Sequence, residues 1–341
     1  MKRRFLLIIS LILIHLGCQK TKPKEIDSAF YYWKSNFQLL ENEKNTLSTN
    51  GVKKLYIKFF DISWNKAKSK FQMDAPIRFA EKLPDSCQMI PVVFITNQTM
   101  KNLPKNEVDS LAHFILEKIS KLSPQKYNEL QIDCDWTLST KQKYFSLLNS
   151  LKKSGLHLSA TIRLHQVKFY EKTGIPPVER GMLMCYNMSD WRSPITLNSI
   201  YSPKLLTQYT ERLQEYPLAL DVVMPIFHWT VVFRNNRFMF FVNNLSAETL
   251  HKNENFEQML NKQQFTVKSD AQFQNISIRK GDVFRCEDAQ FEDILKGSRN
   301  ILEKISNQKL TFALYHLDSQ SISYYSNEQI KELLHINKTL R

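Results

Sequence analysis

Eight short runs rich in β-branched and aromatic residues recur along the chain, at 30–33, 54–62, 89–96, 129–136, 157–165, 182–188, 219–228 and 310–317. Stretches of helical spacing separate several of them. Val108, Leu111, Ala112, Ile115, Ile119 and Leu122 follow three-four spacing after Pro104, and Ser139-Thr140-Lys141-Gln142 reads as a capping box for a helix through Leu151. Two more helices are expected at 203–213 and 291–305. Strands that alternate with helices build a parallel sheet, because parallel neighbours need a long crossover that a helix supplies. Eight such units predict an α/β fold, a (β/α)8 TIM-type barrel, which takes about 250 residues. The chain has 341. The surplus falls at about 234–286, where Asn235-Asn236, Asn243-Asn244, a helical pattern at 248–260 and strand-like stretches at 264–267 and 282–284 break the alternation. An insertion between strands seven and eight is expected there. An open doubly wound sheet is the less favoured architecture, because the chain contains neither G-x-G-x-x-G nor G-x-x-x-x-G-K-[ST].

The amino terminus carries a separate signal. Met1-Lys2-Arg3-Arg4 is basic, and 5–16 is apolar apart from Ser10 and His15, too short for a permanent membrane span. Gly17-Cys18 and a polar run follow. This resembles a bacterial lipoprotein signal, although His15 stands where such signals usually carry Leu. The resemblance implies a signal over 1–18 with Cys18 as the lipidation site, a tether at 19–28, and a single barrel domain over 29–341. It further implies a membrane-anchored protein of the bacterial cell envelope, outside the cytoplasm.

Lys and Arg number 47 against 33 Asp and Glu, a net charge of +14 spread over many separate lysines. A nucleic-acid groove needs clustered basic and aromatic residues, so no nucleic-acid partner is expected. The excess suits a solvated surface near anionic lipid or acidic glycans. After Cys18 come Cys87, Cys134, Cys185 and Cys286, without a C-x-x-C pair. Their even number permits disulfides, but Cys134 and Cys185 sit inside apolar strands and read as buried thiols. No metal or cofactor is implied. A metal-dependent deacetylase, with His165, His228 and His316 converging on Asp133, is disfavoured because no H-x-x-x-H is present.

Barrel enzymes carry reacting groups at the carboxyl ends of their strands. In strand four, period two puts Leu130, Ile132, Cys134 and Trp136 on one face and Gln131, Asp133 and Asp135 on the other. The apolar set suits the helix-covered outside. Asp133 and Asp135 are then expected inside, where low dielectric and mutual repulsion raise the pKa of at least one. On strand five, Ser159, Thr161, Arg163 and His165 share a face, so Arg163 can neutralise a carboxylate. Other strand-end candidates are Asp61, Trp64, Asn97, Tyr186, Asn187, His228, Trp229, Tyr315, His316 and Asp318.

Asp133-Cys134-Asp135-Trp136-Thr137 resembles the end of the D-G-x-D-x-D-x-E strand of chitinase-type glycoside hydrolases. Met184-Cys185-Tyr186-Asn187 resembles their strand-six M-x-Y-D, and Met224-Pro225-Ile226-Phe227-His228-Trp229 is similar to their seventh strand. Most of the chain after Cys18 is also similar to an uncharacterised group of bacterial barrel proteins with a paired-Asp fourth strand. The chitinase resemblance implies a carbohydrate site in which Asp135 supports the chemistry and Tyr186 hydrogen-bonds the reacting sugar. Two positions depart from that family: its acid/base Glu falls on Thr137, which cannot protonate a glycosidic oxygen, and its strand-six Asp is Asn187.

Two functions follow. In the first, a cell-envelope lipoprotein hydrolyses or processes a glycan. Asp133 or Asp135 is acid or base, Tyr186 is the third catalytic residue, and a partner carboxylate comes from Asp318 or Asp61. Trp64, Arg163, His165, Asn187, His228, Trp229, Tyr315, His316 and Asp318 line the substrate site, with Trp64, Tyr186, Trp191 and Trp229 stacking on sugar rings. In the second, the same cleft binds an oligosaccharide or scaffolds an envelope complex without turnover.

Overall fold

The computed structural model describes residues 23–336. The lipoprotein-type signal and Cys18 lie outside the described residues. Eight parallel strands close into a barrel: β1 (Glu25–Tyr32), β2 (Lys54–Asn65), β3 (Gln88–Ile95), β4 (Glu129–Asp133), β5 (His157–Arg163), β6 (Arg180–Met184), β7 (Leu220–Pro225) and β8 (Lys309–Tyr315). Each strand pairs with the next, and β8 pairs back onto β1 with Phe30 opposite Leu314, so the ring has no free edge.

Helices cover the outside where the sequence carries helical periodicity. Val108–Leu122 buries Val108, Leu111, Ala112, Ile115 and Ile119, the apolar stripe of its three-four spacing. Lys141–Lys152 buries Tyr144, Leu147, Leu148 and Leu151. The expected capping box is not how that helix starts. Thr140 makes no side-chain cap bond; its hydroxyl accepts from the Thr137 amide and donates to Asn97 Oδ1, fastening the loop after β4 to the end of β3. The expected 203–213 helix stops at Tyr209 and resumes as a short 3-10 turn at Leu213–Glu215.

Two crossovers depart from helical regularity. β2 runs on past the barrel rim and pairs antiparallel with Lys70–Asp74, placing Trp64 opposite Phe71 on a projecting hairpin. Between β7 and β8 lies a second sheet of five antiparallel strands, in the order Arg237–Asn243, Trp229–Arg234, Val283–Glu287, Gln264–Val267 and Phe256–Gln258. It has its own core of Phe256, Phe265, Phe273 and Phe284. Its first strand starts at Trp229, immediately after the barrel strand, rather than at 234. The helix expected at 248–260 is a short piece, Ala247–His251, because Asn253 and Glu254 lead into a turn and then a strand at Phe256.

Cys87, Cys134, Cys185 and Cys286 are all buried and unpaired. Among the described residues no helix is long and apolar enough to cross a membrane, and no cluster of His, Cys, Asp and Glu could hold a metal ion.

Candidate functional site

The parity of β4 carries the site. Leu130 and Ile132 are fully buried against the outer layer, where the Trp136 ring stacks on Tyr144 at 5.3 Å. The alternate residues point inward: Gln131 accepts from the Tyr31 hydroxyl at 2.5 Å, and Asp133 Oδ1 accepts from Thr161 Oγ1 at 2.6 Å. Asp133 is 6% exposed. Burial first, and the neighbouring Asp135 carboxylate second, push its pKa from about 3.8 up to about 6.

The strand ends at Asp133, so Asp135 sits just above it in the tight turn that the Trp136 amide closes onto the Cys134 carbonyl. Its carboxylate is 47% exposed and is gripped by Arg163, the last residue of β5, through Nε to Oδ1 at 2.6 Å and Nη2 to Oδ2 at 3.0 Å. This fork matches the planar geometry of a carboxylate. Arg163 Nη1 also reaches the Tyr186 carbonyl at 3.4 Å. The two carboxylates are thus stacked at one rim, the lower one buried and the upper one neutralised.

An aromatic wall faces them. Tyr186, beyond β6, stacks on Tyr315 at 4.8 Å and meets the edge of Phe227 at 5.9 Å. Its hydroxyl is buried with no hydrogen-bond partner among the described residues. Tyr216 Oη, His228 Nδ1 and His316 Nδ1 are buried polar atoms of the same kind. Trp33 closes on Tyr315 at 5.7 Å, with Lys58 Nζ 5.8 Å from its ring. Phe227 leads to Trp229 at 5.2 Å, and Trp229 to Phe241 at 4.5 Å.

Other expected residues lie elsewhere or are occupied. His165 is not on β5 but on the short helix Leu164–Lys168, exposed. Asn187 is also exposed, because its backbone turns left-handed at φ 52°. Both line a small recess of about 50 Å³ beside Arg163 and Tyr186. His228 alternates with Phe227 and Trp229, so it faces the other way and stacks on Tyr324 at 4.2 Å. Trp64 lies on the projecting hairpin, opposite Phe71. Burial pushes the His316 imidazole down to about 4, leaving it neutral at physiological pH.

The expected partner carboxylates are both held in ion pairs. Asp318 caps the helix Ser319–Ser323 through the Gln320 and Ser321 amides and binds Lys34 Nζ at 2.8 Å. Burial pushes its pKa up, but Lys34 and the helix amides outweigh that and hold it below the ordinary value. Asp61 is paired with Lys58 at 3.1 Å. Thr137 is exposed, and its hydroxyl bonds to the hydroxyls of Ser139 and Thr140.

Sequence reading missed Trp33, Phe227, Thr161's bond to Asp133, and Glu287, which accepts from the Trp229 indole at 2.9 Å. Trp33 was visible as the last residue of the first apolar run. Phe227 was recoverable from parity with Trp229. Glu287 carried no signal, because its partner lies 58 residues away.

The fold is a closed (β/α)8 TIM barrel with two carboxylates and a cluster of aromatic rings at one rim, and solved chitinase-type glycosidases share that fold. Neither a protein-family model nor a curated protein matches the chain. Among solved structures it is similar to the spore cortex-lytic enzyme SleL of Bacillus cereus, at 15% identity and a TM-score of 0.53 over 93% of this chain and 75% of that one. It is likewise similar to the GH18 chitinase ChiB of Flavobacterium johnsoniae, at 11% identity and a TM-score of 0.52 over 93% and 94% of the two chains. A Group IV chitinase of Ostrinia furnacalis aligns at 11% identity and a TM-score of 0.54 over 93% and 99%. At these identities the likeness is one of fold.

Proposed function

We propose that this protein is a cell-envelope lipoprotein, anchored through Cys18, whose barrel mouth binds an oligosaccharide and does not hydrolyse it by the usual paired-carboxylate route. The observation that carries the reading is the state of the acids at the rim. The two-carboxylate route needs one carboxyl to protonate the leaving oxygen and a second as base or nucleophile, and where the substrate's own N-acetyl group replaces the second, a protonating carboxyl is still required. Here Asp135 is locked in a fork with Arg163, Asp318 and Asp61 are bound to lysines, and Thr137 has no acid at all. What remains suits recognition: a buried acceptor in Asp133, an unpartnered hydroxyl on Tyr186, and the rings of Tyr315, Trp33 and Trp229 for the apolar faces of sugars. A related fold, a Group II chitinase domain of Ostrinia furnacalis, has been crystallised with an N-acetylglucosamine oligomer, and SleL is named a cortex-lytic enzyme. Both support a glycan of the N-acetylated, cell-wall type.

A second reading rests on one observation. With its pKa raised to about 6, Asp133 is partly protonated near neutral pH and has the proton that an acid catalyst needs.

The test is a binding and turnover screen over N-acetylglucosamine oligomers and peptidoglycan fragments with wild type, Asp133→Asn and Asp135→Asn. Binding by wild type without new reducing ends, weakened roughly tenfold or more in both variants, is the expected result. Turnover by wild type that either variant abolishes would establish the second reading. Binding unaffected by either change would remove the rim from the account.

A further inference from the structure

Glu287 and Arg285 form a fully buried ion pair on the insertion sheet, both side chains 0% exposed, with Nε to Oε1 at 2.6 Å. Their other side-chain hydrogen bonds run to Trp229 and to residues 191–199. Glu287 Oε2 accepts from the Trp229 indole at 2.9 Å, from the Ser199 amide at 3.0 Å, and from the Ser199 hydroxyl. Arg285 donates through Nη1 to the Ser193 carbonyl at 2.7 Å and through Nη2 to the Trp191 carbonyl at 3.0 Å. Residues 191–199 form the irregular segment after β6, with Ile195 and Leu197 largely exposed. Such a segment has few internal bonds to hold it. Its bonds to Asp190, to Met188 and, from Asn198, to the Asp288 carbonyl are joined by those of the buried pair at Trp191, Ser193 and Ser199, and the same carboxylate fixes the plane of the Trp229 ring.

The rings so fixed form a continuous row. From Tyr315 at the barrel mouth it passes through Phe227 at 5.5 Å, Trp229 at 5.2 Å and Phe241 at 4.5 Å to Trp191 at 4.9 Å, where Arg192 lies 3.7 Å over the indole. Phe241 belongs to the insertion strand Arg237–Asn243, so the row leaves the barrel and continues onto the second sheet.

We propose that Glu287 is a positioning residue: it sets Trp229 and the 191–199 segment as one preformed wall, on which sugar units beyond the one at Asp133 are bound. The inference rests on the glycan reading above and names the extent of its ligand, an oligosaccharide long enough to reach from Tyr315 to Trp191. A ligand of one or two units senses only the barrel mouth; a longer one senses the wall.

The readout is the ratio of affinities for the pentasaccharide and the disaccharide of N-acetylglucosamine, measured calorimetrically on the full chain. Wild type is expected to prefer the pentamer. Glu287→Gln, and independently Trp229→Phe, which keeps a ring but loses the indole N–H, are expected to cut that preference roughly tenfold. A loss of folded protein would lower both affinities alike and leave the ratio unchanged. Where Glu287→Gln does not fold, Trp229→Phe and Ser199→Ala decide. A preference unchanged in folded variants overturns the proposal. If wild type binds neither oligomer, the glycan reading fails, and the positioning claim is judged by hydrogen exchange over 191–199. Faster exchange in Ser199→Ala keeps the wall; unchanged exchange removes it.

Discussion

Asp133→Asn is expected to stabilise the protein above about pH 6 and to leave it unchanged below about pH 4. The carboxyl is buried beneath Asp135, and its pKa is raised from about 3.8 to about 6 in the folded chain. A group raised in this way contributes its stability below the unfolded value and loses it as pH climbs through the folded one. At 1.36 kcal/mol per pH unit, the ionised Asp133 costs the native state up to about 3 kcal/mol by pH 8. Asparagine keeps an oxygen for the Thr161 hydroxyl and carries no charge, so it removes the cost without opening a cavity. Denaturant unfolding of both proteins at pH 4 and pH 8 reads this directly. The same substitution is expected to weaken glycan binding, the trade expected where a destabilising group is kept for function. A stability difference that does not change with pH would contradict the burial argument.

The second large effect concerns the buried pair in the insertion. Glu287→Ala leaves the Arg285 guanidinium 0% exposed and without its countercharge, and removes the acceptor for Trp229 and Ser199. Breaking a buried pair from one side costs about 3–5 kcal/mol. The double substitution Arg285→Met with Glu287→Leu is expected to lose less than the two single losses combined, since no buried charge is left alone. Equilibrium unfolding of Arg285→Met, Glu287→Leu and the double supplies the cycle, and strict additivity would mean that the pair does not act as a unit.

Much of the barrel could be read from the chain because its strands are local objects. All eight runs became parallel strands, and β4 shows why: alternation alone set Leu130 and Ile132 outside and Gln131 and Asp133 inside. Boundaries were less legible. β1 starts at Glu25, five residues before its apolar run, because its polar first turns are held by pairing with Lys309 and Leu310 rather than by burial. The second sheet's start was hidden for a related reason. Trp229 to Phe233 continues the apolar character of β7, and only the reversal of pairing onto Glu287 and Asn243 separates them.

The site was legible where parity governs and obscure where loops do. Asp133, Arg163 and Tyr315 stand where strand periodicity puts them. His165 and Asn187 do not, since β5 ends at Arg163 and β6 at Met184, and residues beyond a strand end no longer alternate. Asp318 looked like a free acid; Lys34, distant in sequence, makes it a helix cap and an ion-pair partner instead.

The most direct test of the central claim is a carboxyl-carbon NMR titration of Asp133, with Asp133→Asn assigning the resonance, in the free protein and in the presence of saturating N-acetylglucosamine pentasaccharide. A midpoint near 6 in the free protein, displaced when the sugar is bound, is the predicted result. A midpoint near the ordinary 3.8, insensitive to the sugar, would contradict both the sequestered acid and its place in the binding site.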